Sequence, residues 1–208
     1  MNPTPNRRHL LIASAAALAA PAWLPSAIAQ AKNLRPTPSQ TEGPFYPVAL
    51  PADSDADLLK NGQVNDGQGQ PAWVEGTVVD RAGVPVSGAV VEIWQCDHAG
   101  HYHHPGDGGR ADPAFQGFGK VSVGRDGRYR FRTIRPVPYG GRTPHIHVKV
   151  KLDRRELLTT QLYVAGDPGN DRDFLWRRLD AENRAALTVP FAAGRDGIKA
   201  NFPIVVQA

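Results

Sequence analysis

Alternating apolar and polar residues mark several short segments of the chain as β-strands. The clearest is 73–80 (W-V-E-G-T-V-V-D), which is followed by a turn at Arg81-Ala82-Gly83 and by a second apolar segment at 89–95. Turns rich in Gly, Pro or Asp separate the further strand candidates, which are residues 120–123, 128–133, 146–151 and 160–165. Many short strands joined by such turns predict an all-β fold, a single β-sandwich domain.

The segments outside these strands are predicted to be helical or irregular. Residues 171–178 carry a helical pattern, and a second short helical turn is predicted over 181–187. Residues 30–72 are rich in Pro, Asp, Asn and Gly and show little periodicity, which predicts an irregular N-terminal arm. The sandwich is therefore expected to occupy residues 73–208. No repeat of about 20–50 residues is present, which argues against a solenoid.

Residues 1–29 have the pattern of a cleavable export signal. Arg7 and Arg8 precede an apolar run at 12–20, and Ala27-Ile28-Ala29 forms a small-x-small cleavage site. The run is too short to span a membrane. Paired arginines resemble a twin-arginine signal, which exports folded proteins, whereas an ordinary secretory signal is the alternative. We expect a periplasmic or extracellular protein without a membrane segment in its mature form.

Charge and cysteine content exclude some function classes. The chain has 208 residues and a formal net charge of +4, from 24 basic and 20 acidic residues. Arg7 and Arg8 lie in the predicted signal, which contains no acidic residue, so 30–208 carry 22 basic and 20 acidic residues, a net charge of +2. This near balance predicts neither nucleic-acid nor membrane-surface binding. Cys96 is the only cysteine, so an intrachain disulfide is impossible.

A pair of histidines in a predicted strand is a candidate metal site. His145 and His147 are two residues apart. Such side chains lie on one face of a strand, about 6–7 Å apart, so both imidazoles can bind one cation while Ile146 faces the core. Imidazole binds Zn, Cu, Fe and Ni. The pair alone does not choose a metal, and it could also be a simple polar strand face.

Four further histidines lie in the loop after the second strand. A structural zinc site would need a second cysteine and a fixed Cys/His spacing, and both are missing here. We therefore predict that they are solvated loop residues. They are His98, His101, His103 and His104.

Six stretches in order along the chain resemble the intradiol ring-cleavage dioxygenases, and the protocatechuate 3,4-dioxygenase type in particular. The most specific is R-T-P-H-I-H at 142–147, preceded by I-R-P-V-P-Y at 134–139. The others are T-P-S-Q-T-E-G-P-F-Y-P (37–47), G-A-V-V-E-I-W-Q (88–95), G-H-Y-H-H (100–104) and T-Q-L-Y-V-A-G-D-P (160–168). The resemblance implies a non-haem Fe(III) enzyme that cleaves catechol rings between the two hydroxylated carbons with O2.

The resemblance also assigns roles to residues. It implies one Fe(III) per chain, bound by Tyr102, Tyr139, His145 and His147. By position, Tyr139 is the ligand that substrate displaces, Arg142 lies beside the bound ring, and Gln161 lies next to it. Substrate contacts are implied for Thr41, Gly43 and Pro44. The expected partners are a catechol-type molecule and O2, with a homo-oligomer as a further possibility.

The chain departs from the family between the second tyrosine and the arginine. Family members carry a longer loop there, whereas only Gly140 and Gly141 separate Tyr139 from Arg142 in this chain. We therefore expect a pocket with an open wall beside Tyr139, and cleavage of several substituted and unsubstituted catechols. Cations that could bind a substrate carboxylate are Lys120, Arg132 and Arg135.

Two other function classes remain open at this stage. Residues 74–90 resemble transthyretin-like modules, which would make the chain a non-catalytic binding domain. A cupin-like Fe(II) or Zn enzyme would combine His145 and His147 with a carboxylate, for which Asp153 and Glu156 are the nearest downstream candidates. Neither class needs Tyr102 or Tyr139.

Overall fold

Two five-stranded β-sheets face each other in the computed structural model, which describes Met1 and residues 33–65 and 67–208. The strands are β1 Lys60–Asn61, β2 Val64–Asn65, β3 Pro71–Asp80, β4 Val90–Trp94, β5 Phe118–Ser122, β6 Arg128–Ile134, β7 His145–Leu152, β8 Arg155–Val164, β9 Thr188–Val189, β10 Ala192–Gly194, β11 Gly197–Asn201 and β12 Ile204–Val206. The first sheet has the order β10-β11-β3-β12, with β6 also paired to β3, and the second has the order β5-β4-β7-β8-β9. The predicted all-β sandwich is confirmed.

The core lies between the sheets and is built from alternate strand residues. Val91 and Ile93 of β4 and Ile146 and Val148 of β7 are buried in it, as the period of two requires. The residues between them point to the opposite face of the second sheet. A second, smaller apolar cluster covers that face and includes Trp94 and loop residues. The candidate site therefore lies outside the main core, on the outer face of one sheet.

The helical predictions had different outcomes. The turn over 181–187 is confirmed as α1, Ala181–Leu187, capped by the Asp180 side chain, which accepts a hydrogen bond from Asn183 N at 2.7 Å. The prediction of a helix over 171–178 is wrong, because the segment forms two 3-10 turns, Asn170–Arg172 and Trp176–Arg178. Asp173 interrupts them with an extended backbone. Its carboxylate takes up backbone N–H groups that a continuous helix would have used internally.

The N-terminal arm is irregular as predicted, apart from the β1–β2 hairpin, but it is held in place. Gln40 N donates to Thr159 O at 2.9 Å, and Thr160 Oγ1 donates to Pro38 O at 2.7 Å, so the arm follows the edge of β8. The predicted export signal lies almost wholly outside the described residues. Within the part that is described, no helix is both long and apolar enough to cross a membrane.

Candidate metal and substrate site

Strand register places both candidate histidine ligands side by side on the outer face of the second sheet. On β7, His145 lies opposite Tyr163 of β8, and His147 lies between Trp94 of β4 and Gln161 of β8. Each histidine is only 1 % exposed. The His147 ring stacks on Trp94, with ring centroids 4.7 Å apart and planes 9° apart. This packing fixes the imidazole in one orientation.

Two tyrosines from separate loops complete a ring of four side chains. Tyr102 comes from the loop after β4 and Tyr139 from the turn before β7. The ring centroids are 4.8 Å apart for His145 and His147, 4.9 Å for Tyr102 and Tyr139, 5.3 Å for Tyr139 and His145, and 6.1 Å for Tyr102 and His147. The structure therefore brings together the four residues that the family resemblance assigns as iron ligands.

Several polar atoms of these four side chains lack a hydrogen-bond partner, and this indicates which kind of ligand the cluster could bind. The buried atoms without a hydrogen-bond partner include His145 Nε2, both ring nitrogens of His147 and the Tyr102 hydroxyl. Leaving such a group unpaired costs about 1–3 kcal/mol, and an ion is one of the accepted reasons for it. The other nitrogen of His145, Nδ1, lies 2.6 Å from Thr143 O, which leaves Nε2 available. The donor set therefore fits a bound cation.

Burial dominates the ionisation of these side chains. It raises the pKa of Tyr102 well above its usual value, and it raises the pKa of Tyr139, an effect that the Arg142 charge partly offsets. Burial, followed by the Arg142 charge, lowers the pKa of His145 to about 4, and burial lowers that of His147 well below its usual range. Both imidazoles are therefore neutral near pH 7, the form that binds metals. The buried phenols would need a cation to ionise.

Two aspartates hold the loop that carries Tyr102. The Asp107 carboxylate accepts a hydrogen bond from Tyr102 N at 2.9 Å and lies 3.2 Å from His101 Nδ1. The buried Asp97 carboxylate accepts from His101 N at 2.9 Å and from Asp112 N at 2.7 Å, which ties the two ends of the loop together. Carboxylates that cap backbone N–H groups in this way stiffen an irregular segment.

The loop histidines are exposed or partly exposed, as predicted, and three of them also contact other groups of the loop. His101 contacts Asp107, His103 Nε2 lies 2.6 Å from Phe115 O, and His104 Nδ1 accepts from Gly106 N at 3.0 Å. Only His98 is left with a single distant contact, 3.9 Å from the Asp112 carboxylate. Their role in the described structure is to shape the loop around Tyr102.

A two-glycine turn sets the position of Tyr139. Arg142 N donates to Tyr139 O at 2.7 Å, which closes the turn. Gly140 and Gly141 have φ of +51° and +79°, the left-handed region that type I′ turns require and that glycine adopts at little cost. A Cβ at either position would meet no atom within 4 Å. Backbone conformation, rather than space, therefore requires glycine at this point.

Arg142 is the centre of a buried hydrogen-bond network. Its Nε donates to Asp173 Oδ2 at 2.7 Å, and its Nη2 donates to Gln161 Oε1 at 2.7 Å. Gln161 Oε1 also accepts from the Tyr163 hydroxyl at 2.9 Å. The two predicted residues Arg142 and Gln161 are thus in direct contact, and Asp173, which the sequence did not indicate, supplies the counter-charge. Such fully bonded networks fix a guanidinium in one place.

The arm reaches the site through residues that the resemblance assigns to substrate contact. Thr41 O accepts from Gln161 Nε2 at 3.0 Å. Gly43 has φ of +74°, and a Cβ there would lie 3.2 Å from His147 Cε1, so glycine allows the arm to approach the histidine. Pro44 is exposed. Phe45, which was missed, stacks on Tyr102 with ring centroids 4.7 Å apart. The motif E-G-P-F-Y-P contained it, although no periodicity singled it out.

An open cleft adjoins the site on the predicted side. It has a volume of about 510 Å³ and is lined on one side by residues 138–144, which include Tyr139 and Arg142, and on the other by residues 167–169 and Arg172. Tyr102 does not line it. Of the predicted substrate cations, Lys120, Arg132 and Arg135 are also absent from its lining. The cleft is therefore open beside Tyr139, and the exposed cation in its lining is Arg172.

The cupin-like alternative finds no third ligand. Glu156 lies 3.1 Å from Lys149 Nζ, and Asp153 occupies the β7–β8 turn with φ of +53°. Within residues 33–65 and 67–208, no group of three or more His, Cys, Asp or Glu side chains is placed to hold a metal ion. In the described part of the chain, the oxygen donors grouped with His145 and His147 are the side chains of Tyr102 and Tyr139.

The fold and these side chains together define a class: β-sandwich proteins with a buried histidine and tyrosine cluster beside an open cleft. The family model described as dioxygenase matches residues 41–208. The chain belongs to the intradiol ring-cleavage dioxygenase family.

Individual relatives agree with this assignment. Catechol 1,2-dioxygenase 1 of Acinetobacter lwoffii is 32 % identical over 180 residues, covering 77 % of this chain and 55 % of the relative. The protocatechuate 3,4-dioxygenase beta chain of Burkholderia cepacia is 41 % identical over 137 residues, covering 60 % and 58 %. The chain spans about half the length of the curated relatives it matches.

One solved structure is similar over nearly its whole length. It is the dioxygenase domain of a dioxygenase carbohydrate-binding protein fusion from Streptomyces sp. SirexAA-E. The TM-score is 0.63 at 35 % identity, and the match covers 82 % of this chain and 97 % of that domain. The similarity thus covers most of the sandwich that carries the candidate site.

Proposed function

We propose that this chain is an Fe(III)-dependent intradiol dioxygenase. It opens a catechol-type ring between the two hydroxylated carbons, inserts both atoms of O2 and releases a cis,cis-muconate-type diacid. The observation that supports this most directly is the buried cluster of His145, His147, Tyr102 and Tyr139, in which three residues carry unpaired donor atoms and Tyr139 lines an open cleft. Family membership supports the same reaction.

The donor set suits one ferric ion per chain. Phenolate oxygen is a hard donor, and two phenolates would offset two of the three charges of Fe(III), which favours the ferric state. Tyr102, Tyr139, His145 and His147 would hold the ion. When bound, ferric iron would activate the chelated aromatic ring for reaction with O2.

The two tyrosines have different tasks in this proposal. Tyr102 is 2 % exposed and packed under Phe45, so it is placed to stay on the metal. Tyr139 is half-buried and lines the cleft, so its phenol oxygen is placed to accept a proton from a substrate hydroxyl. The Arg142 charge lowers the pKa of Tyr139 against the larger effect of burial. This partial compensation suits a group that gains and loses a proton.

Arg142 acts electrostatically. The guanidinium is held by Asp173 and Gln161 before substrate enters, and Arg142 lines the cleft. Negative charge that develops on the ring during cleavage would be stabilised by this fixed cation without reorganisation of the protein.

The reaction can be tested directly on the iron-loaded protein. We expect a red-brown colour from tyrosinate-to-iron charge transfer, and we expect catechol supplied with 18O2 to give a diacid that carries both labelled atoms. Mass spectrometry of the product measures this. A colourless iron-loaded protein, a ring-opened semialdehyde, or a product with one labelled atom would each contradict the proposal.

We also propose that the protein is exported by the twin-arginine route. The support is the sequence alone, in which Arg7 and Arg8 precede an apolar run. Replacing both by lysine keeps the positive charge and removes the paired arginines. We expect much less processed protein outside the cytoplasm for this variant, measured by cell fractionation and immunoblotting. Unchanged export would favour the ordinary secretory route.

A further inference from the structure

The cleft beside the candidate site is larger than a single aromatic ring needs. Its volume of about 510 Å³ falls within the roughly 300–1,000 Å³ that is typical of sites for drug-sized ligands. Tyr139 and Arg142, beside which a catechol ring would react, are part of its lining. Residues 167–169 and Arg172 also line it. A side chain on the ring would therefore have room in the cleft.

Arg172 is an exposed cation in the cleft lining. The residue is exposed, and its guanidinium makes no hydrogen bond, ion pair or ring contact with any other residue that the structure describes. Arg142 differs in this respect, because its charge is already paired with Asp173 at 2.7 Å. Arg172 is thus the cation in the cleft lining that remains available to a ligand.

The position of Arg172 is fixed by buried neighbours on both sides. Asn170 is 5 % exposed and contacts the Thr143 hydroxyl at 2.8 Å, while its Nδ2 donates to Val164 O at 2.8 Å. Asp173 is 1 % exposed and accepts from Thr143 N at 3.0 Å. The 3-10 turn Asn170–Arg172 is therefore anchored to the same segment that carries Arg142. A side chain based on an anchored turn loses less freedom on binding than one on a free loop.

One acidic side chain also lines the cleft. The Asp167 carboxylate accepts a hydrogen bond from Gly169 N at 2.8 Å and lies 3.4 Å from the Thr143 hydroxyl. These contacts stabilise the turn at 167–169. Asp167 forms no ion pair with Arg172 among the described residues. If Asp167 rather than Arg172 governed recognition, a cationic side chain on the substrate would be favoured.

We propose that Arg172 is a specificity-determining residue, and that the preferred substrates are catechols whose ring substituent is a short chain ending in a carboxylate. The ring lies beside Tyr139, the chain follows the cleft, and the carboxylate pairs with the Arg172 guanidinium. This inference rests on the proposed function and adds the substrate class to it.

The test compares three catechols that differ in the charge at the end of the chain. They are 3-(3,4-dihydroxyphenyl)propionate, the neutral 4-propylcatechol and the cationic dopamine. We expect iron-loaded wild type to prefer the carboxylate over the neutral compound by about tenfold in kcat/KM, the lower end for a charge-assisted contact that water competes with. Arg172→Gln should reduce the ratio of kcat/KM for the carboxylate to kcat/KM for 4-propylcatechol to about one.

Arg177→Gln is the matched control. Arg177 is another exposed arginine, on the next 3-10 turn, and it does not line the cleft, so its loss changes the net charge equally. The carboxylate preference should survive in this variant. An equal loss in both variants, a preference that persists in Arg172→Gln, or faster cleavage of dopamine would overturn the inference. Failure to cleave any catechol, the unsubstituted one included, would instead contradict the proposed function.

Discussion

Replacing Tyr102 with phenylalanine is expected to lower iron affinity by more than a hundredfold without weakening the metal-free fold. Loss of a residue that only supports a metal ligand costs about 10–100-fold in affinity, and a ligand itself should cost more. The Tyr102 hydroxyl is buried, however, and the Tyr139 side chain is the polar group that interacts with it. Removing the hydroxyl relieves its desolvation cost, which offsets the lost contact with Tyr139. Iron affinity should thus fall while the unfolding free energy of the metal-free protein stays nearly constant.

The measurements are iron content per chain, visible absorbance and urea unfolding of the metal-free protein. His147→Ala should also deplete iron, because its buried imidazole is one of the two neutral nitrogen donors. The matched control is His98→Ala, in the same loop as Tyr102 but with only a 3.9 Å contact to Asp112. His104→Ala should also keep its iron, although His104 contacts Phe45 with ring centroids 5.6 Å apart. Full iron occupancy in Tyr102→Phe would place the metal elsewhere.

Replacing Asp173 with asparagine is expected to cost about 3–5 kcal/mol of unfolding free energy and about a hundredfold in kcat. The carboxylate is 1 % exposed and pairs with the buried Arg142. Removing one charge of a buried pair leaves the other uncompensated, which accounts for the stability loss. Arg142 would also lose the partner that orients it, and loss of one preorganised electrostatic donor costs about 10²–10³ in kcat.

The ionisation of Asp173 adds a pH dependence to this prediction. Burial alone would raise its pKa, but hydrogen bonds from Arg142 and from the N–H groups of Trp176 and Thr143 outweigh that effect and hold the pKa below its usual value. The stabilisation is therefore fully present above about pH 4, the pKa of an unfolded aspartate, and is lost as the pH falls further.

Urea unfolding at neutral pH, together with steady-state kinetics of the iron-loaded protein, measures both effects. Asp171→Asn is the control, because Asp171 is an exposed neighbour with the same charge. It should change the unfolding free energy by less than about 0.5 kcal/mol. If Asp173→Asn behaved like Asp171→Asn, the Arg142–Asp173 pair would contribute neither stability nor orientation.

The parts of the fold that the sequence predicted are those with a local signal. β3, β4, β6 and β7 follow an alternating pattern, and the spacing of His145 and His147 placed both imidazoles on one face. The strands β9, β11 and β12 were missed because each pairs in parallel with a distant strand, β8 or β3. In addition, β9 and β12 have only two and three residues. No local pattern encodes such a partner, since a parallel pair forms only when the whole sheet assembles.

The same distinction applies to the site. Tyr102, Tyr139, Arg142 and Gln161 could be named through a family resemblance, because they lie in specific motifs. Asp173 could not, because the helical pattern of 171–178 concealed a residue that interrupts the helix to bond Arg142. Arg172 also carried no signal, because its place in the cleft depends on how the turn is anchored to Thr143.

The two-glycine turn before β7 also bears on how this scaffold could diversify. Its backbone hydrogen bond from Arg142 N to Tyr139 O holds the two flanking residues, while its tip borders the cleft and a Cβ added there would meet no atom within 4 Å. Residues inserted at the tip would change the wall of the cleft and leave both anchors in register, as in a hairpin whose loop lengthens. Loop grafting at this one point is thus a route to new substrate ranges while the four proposed metal ligands stay unchanged.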